Sequence, residues 1–208
     1  MFPVMFSSTP RPGAGPAPAP HRGWRLAVTP VGDGWIGEAT RPGRNGAPRA
    51  LRCETGPERS GVLAALRARI DARRAGFVAA RRLAEPVDVA SAEEFLDALD
   101  AVDPQGARLR MLTAHAAAPD RTLSAAEIAR AGGHDGAWGA AMHYGRLARA
   151  LGEAMELTPD PGRLAADPSA WIEVIAERAG PGGRESGPLW RLHATLAEAL
   201  DRLGPTRA

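Results

Sequence analysis

The chain has 208 residues, 44% of them apolar, and a formal net charge of +2, which suits one or two small domains with packed cores. All 26 basic residues are arginine, which excludes a phosphate-loop lysine, a Schiff-base lysine and any nuclease core that depends on lysine. The single cysteine, Cys53, excludes an internal disulfide and a multi-cysteine zinc site.

The bias toward alanine, arginine, glycine and proline reflects GC-rich coding and carries no argument for binding by itself. The five histidines are scattered without an H-x-x-x-H pair, so no metal site and no cofactor is expected. No apolar run approaches the length of a membrane span. The opening MFPVMFSSTPRPG lacks a basic region followed by a long apolar one, so a cytoplasmic protein without a secretory signal is expected.

Residues 1–23 read as a disordered arm, because 8–23 alternate proline with small side chains that bury little apolar surface. Order is expected to begin near Trp24. WRLAVTP and GWIGEATRP flank the turn sequence VGDG and predict a β-hairpin. RALRCET supplies a third strand, and Gly56-Pro57 opens a helix with Leu63, Leu66 and Ile70 on one face. Residues 77–84 fit either the tail of that helix or a fourth strand. A small α+β domain is therefore expected over 24–84.

Residues 85–105 read as a linker running into a helix. Ser91 and Glu94 form a capping-box pattern, with Phe95, Leu96, Leu99 and Val102 as the apolar face. Glu93, Glu94, Asp97 and Asp100 read as that cap and a solvated face. The next helix, 106–119, carries Leu109, Leu112 and Ala116 on one side and ends at Pro119. Ser124-Ala-Ala-Glu127 is a second capping box, with Leu123 and Ile128 in the staple positions, and Gly132-Gly133 ends the short helix. Asp135 is placed to cap a longer helix running to Met155. WIEVIAER (171–178) reads as a buried strand, GPGGRESGP (180–188) as a charged loop, LWRL (189–192) as a returning strand, and ATLAEALDRLG as a closing helix. Helix, short helix, tight turn, long helix and hairpin is the order of a winged helix-turn-helix, expected over 106–208. The whole is expected to be α+β, a small hairpin-and-helix domain followed by a mostly helical one.

On the long helix, 100° per residue puts Ala137, Ala140, Tyr144, Leu147, Leu151 and Met155 on one side. Trp138, Met142, Arg146 and Arg149 lie opposite, with His143 at the border, and Arg184 sits in the loop of the hairpin. Arginines spaced three apart reach phosphates or guanine edges, and apolar groups beside them reach bases. Each also has a plainer reading: the arginines as a solvated face, Trp138 packed on another domain, His143 as a border residue, Tyr144 as a core ring.

RMLTAHAAAPDRTLSAAEIARAGGHDGAWGAAMHYGRLARALGEAM resembles a segment of bacterial proteins of the HNH-type and modification-dependent restriction endonuclease class. Thr122, Ser124, Gly132, Tyr144, Gly145, Leu147 and Leu151 carry the likeness, which covers about a quarter of the chain. It implies a DNA-facing module tied to restriction or defence. The chain has no H-N-H constellation, since its one asparagine, Asn45, lies in a Gly/Pro/Arg-rich loop. The expected function is therefore a non-enzymatic regulator or recognition component with no catalytic residue. It would bind double-stranded DNA, and a nuclease or other defence subunit and a second copy of the chain are further possible partners. The alternative is a protein–protein interaction module on the same scaffold.

Overall fold

The computed structural model describes residues 18–204, leaving out the side chains of Arg52, Cys53, Ala140, Ala141 and Pro168. Most of the arm expected over 1–23 therefore lies outside the described residues, as do the side chains of Cys53 and Ala140. The chain is an α+β protein that divides into two compact units. One holds the described residues through Pro42 with Pro48–Arg74, and the other holds Gly43–Ala47 with the residues from Ala75 onward.

In the first unit, β1 (Arg25–Val31), β2 (Gly34–Pro42) and β3 (Pro48–Gly56) form an antiparallel sheet in that order. Gly32, at φ 62, supplies the left-handed turn residue between β1 and β2. Helix α1 (Arg59–Ala79) covers one face with Val62, Leu66 and Ile70, so Val62 replaces the expected Leu63 as a buried contact. Trp24, Leu26, Ala39, Leu66 and Ile70 form the core. The helix comes so close that a Cβ on Gly37 would sit 2.5 Å from a Val62 methyl. Packing reaches further back than the expected start at Trp24. His21 pairs with Trp24 in a β-bridge, and the His21 and Arg22 side chains both bond the Asp71 carboxylate, at 2.9 and 2.6 Å. Residues 77–79 prolong α1, and Arg82 pairs with Val89 in an isolated bridge.

The second unit contains α2 (Ala92–Val102), α3 (Gly106–Ala117), β4 (Thr122–Ser124), α4 (Ala125–Gly132), α5 (Gly136–Ala154), α6 (Pro161–Ala166), β5 (Ala176–Gly180), β6 (Leu189–Leu192) and α7 (Ala194–Leu203). Its sheet is antiparallel, in the order β4-β6-β5. One core joins Phe95 and Leu99 of α2, Met111 and Leu112 of α3, Ile128 of α4, Leu147 and Leu151 of α5, Trp190 of β6 and Leu196 of α7. Helix α2, expected to trail a linker, is therefore part of this core.

Three expectations need correction here. WIEVIAER is not one strand: Pro168–Val174 is a 3-10 segment and only Ala176–Gly180 is extended. The acidic side of α2 is solvated at Glu93 but not throughout, since Glu94 is 1% exposed, Asp97 9% and Asp100 half-buried. Burial is possible for Glu94 because the Arg81 guanidinium donates to both its oxygens, at 2.9 and 2.6 Å, and also to the Met155 carbonyl. Removing one partner of such a buried pair strands the other charge and costs about 3–5 kcal/mol. On α3, the buried residues are Met111, Leu112 and His115; of the expected Leu109, Leu112 and Ala116, Leu112 is in the core, Ala116 packs against it half-buried, and Leu109 is half-buried.

Candidate nucleic-acid interface

Two reciprocal bonds fix the start of α4. The Glu127 amide donates to Ser124 Oγ at 3.3 Å, and the Ser124 amide donates back to the Glu127 carboxylate at 2.8 Å. Ser124 is also the last residue of β4, paired with Leu189, so one serine ends a strand and caps a helix. The next two amides of α4, Ala125 and Ala126, donate to the carbonyls of Pro188 and Ser186 in the β5–β6 loop, both at 3.0 Å. Those helix-start donors are ordinarily left for solvent or an anion; here the hairpin loop fills them.

Gly133, at φ +83, ends α4 in the left-handed conformation. Gly132 lets α3 approach, because a Cβ there would lie 2.5 Å from Met111 Cε. Arg110 donates to the Gly132 carbonyl at 2.9 Å, which fastens the turn to α3. Asp135 sits at the N-cap of α5 as expected, but its side chain makes no capping bond.

Tyr144, Leu147, Leu151 and Met155 are buried as the angular pattern requires, and Ala137 packs against the same core. Tyr144 is a packed ring: its hydroxyl bonds His115 Nδ1 at 2.8 Å, and His115 Nε2 bonds the Trp190 carbonyl at 2.9 Å. On the opposite side Trp138 is 74% exposed, Arg146 and Arg149 are exposed, and Met142 is half-buried. Arg149 is partly engaged, pairing with Glu153 at 2.8 Å and lying 5.9 Å from the Trp171 ring. The loop carrying exposed Arg184 comes to the start of the same helix, for a Cβ on Gly187 would lie 2.9 Å from Ala137 Cβ, beside Trp138. The loop thus meets the first turn of α5 on its Ala137 side, one residue from Trp138. Arg146 and Arg149 lie about 12–17 Å beyond Trp138 along the helix axis, at about 1.5 Å per residue.

His143 is more than a border residue. Its ring stacks on His134 of the turn at 3.9 Å and 3° between planes. Partial desolvation lowers its proton affinity, and the charges of His134, Arg146 and Arg108 lower it further. Arg108 of α3, which periodicity did not single out, thus adds its charge to that of Arg146 around a stacked histidine pair whose His143 is pushed toward its neutral form. The signal that could have found it is Gly132-Gly133, which draws α3 against the turn.

Charge is unevenly divided between the units. Residues 18–42 and 48–74 hold ten arginines against five carboxylates, whereas residues 75–208 hold fourteen arginines against nineteen. A positive field on the second unit must therefore be local. Among the described residues no cluster of three or more His, Cys, Asp or Glu side chains is placed to hold a metal ion, and no helix is long and apolar enough to cross a membrane. No family model matches the chain, and no curated protein or solved structure does so either.

Proposed function

We propose that the second unit is a winged helix-turn-helix that binds duplex DNA, with α5 as the recognition helix and the β5–β6 loop as the wing. What supports this is the outward face of α5. A highly exposed tryptophan lies near the helix start, and further along Arg146 and, from α3, Arg108 bring their charges to bear on His143. In helix-turn-helix docking the early residues of the recognition helix meet base edges while cations on neighbouring elements meet phosphates. The resemblance around Tyr144–Leu151 extends the proposal to a non-catalytic regulator or recognition component of a restriction or defence system, working in the cytoplasm beside a nuclease or other subunit.

A protein-docking module is the second reading, favoured by the acidic balance of residues 75–208. Equilibrium binding of the full chain to a duplex panel at two salt concentrations separates the two. A DNA-binding protein loses affinity linearly in log salt, by about 0.9 per phosphate contact. Arg146→Ala should weaken binding more than Arg149→Ala, because Arg149 is already paired with Glu153. Trp138→Ala should reduce discrimination among duplexes more than affinity. Absence of salt-dependent binding would leave α5 as a protein-docking face.

A further inference from the structure

A cavity of about 700 Å³ lies within the second unit, away from the outward face of α5. Its apolar walls include Val87, Val89 and Ala176, and its polar lining includes Arg82, Arg163, Glu173 and His193. That volume is in the range of small-molecule sites, about 300–1,000 Å³.

Glu173 is the unusual group. Its side chain is only 7% exposed, and Arg163 holds Oε1. Oε2 is fully buried with no hydrogen-bond partner among the described residues. Buried carboxylate oxygens are ordinarily paired, so an orphan in a cavity wall calls for an N–H or O–H donor. Beside it, His193 Nε2–H donates to the Glu173 carbonyl at 3.1 Å, which leaves Nδ1 as a second acceptor. Burial keeps that imidazole neutral. Arg82 is exposed, lines the same cavity, and its charge acts on His193.

We propose that this cavity binds a small organic molecule with an N–H-donating group at one end and an anionic group at the other. The donor would meet Glu173 Oε2 and His193 Nδ1, the anion would meet Arg82, and the part joining them would lie over Val87, Val89 and Ala176. Amino acids with an N–H-bearing side chain and nucleoside monophosphates share this arrangement of donor and anion. Because Ala176, Glu177 and Arg178 of β5 form one wall, an occupant would touch the hairpin directly. The site does not depend on what the face of α5 binds.

The test is thermal unfolding and calorimetric titration of the full chain with a panel of amino acids, a panel of nucleoside monophosphates and, separately, inorganic phosphate. One organic panel should raise Tm in proportion to ln(1 + [L]/Kd), and inorganic phosphate alone should not. Arg82→Ala, at an exposed position that leaves the core intact, should raise Kd by about tenfold or more through loss of a charged hydrogen bond. Three results would overturn the proposal: no shift with either panel, a shift that inorganic phosphate reproduces, or an unchanged Kd in Arg82→Ala.

Discussion

His115 shows how much one side chain can specify. It is fully buried between the Tyr144 hydroxyl and the Trp190 carbonyl, and so joins α3, α5 and β6 through two directed bonds. The carbonyl can only accept, so Nε2 carries the proton and Nδ1 accepts from the tyrosine. Desolvation lowers the proton affinity of His115, and that of His193 likewise. The sign of the pH effect follows. The unfolded chain takes up these protons near pH 6.5 while the folded chain resists them. Stability is therefore fully present above about pH 6.5 and falls as pH drops through that value toward the depressed native ones, by up to about 1.4 kcal/mol per pH unit for each histidine. Unfolding by urea at pH 7.5, 6.5 and 5.5 should show this loss, and His115→Phe should flatten it. The variant should also be less stable at pH 7.5 by about 1–3 kcal/mol for each stranded partner. A profile no flatter than wild type would mean that His115 is charged in the native state.

Helix α4 is the element that local sequence specifies best. Its cap, its staple residues Leu123 and Ile128 and its terminal Gly133 all read directly from spacing, and all are present. Ser124→Ala with Glu127→Ala should destabilise the protein by about 1–2 kcal/mol, since two turns of helix have little intrinsic stability. An unchanged melting temperature in that double variant would show that the β5–β6 loop, through Ala125 and Ala126, fixes the start without the box. The strands β1 to β3 were legible for a similar reason: alternation and turn chemistry are local. What sequence could not show is long-range. Thr122–Ser124 is too short to announce itself as a strand and is extended because Arg191, Trp190 and Leu189 pair with it. Glu94 looks like a solvated acid until Arg81 is brought to it, and nothing in the sequence marks His115 as buried until β6 supplies the Trp190 carbonyl. WIEVIAER has the apolar run of a strand, yet Pro168 and the Asp167 cap that bonds the Ser169 amide start a 3-10 segment instead. The outward face of α5 was read correctly from angle alone, while the Arg108–His134–His143 cluster depends on how the turn packs.

The division of charge sets an expectation for the molecule as a whole. If α5 reads DNA, its unit brings more carboxylates than arginines to a polyanion, so the local cluster must work against its own surroundings. The first unit, with ten arginines against five carboxylates, carries the opposite balance. Phosphate contacts are sequence-independent and additive in their salt dependence, whereas contacts to bases are neither. We therefore expect division of labour: the first unit supplies affinity and α5 supplies choice. Arg25, on β1, and Arg67, on α1, are both exposed, so replacing them leaves the sheet and its helix intact. In the full chain, Arg25→Ala with Arg67→Ala should weaken binding to every duplex by a similar factor. It should flatten the log K against log salt slope by about 0.9 for each arginine in contact with phosphate. Trp138→Ala should leave that slope alone and narrow the spread of affinities across the panel. Identical slopes in the wild type and the Arg25/Arg67 variant would confine the DNA contacts to the second unit, and the basic surplus of the first would then serve some other partner.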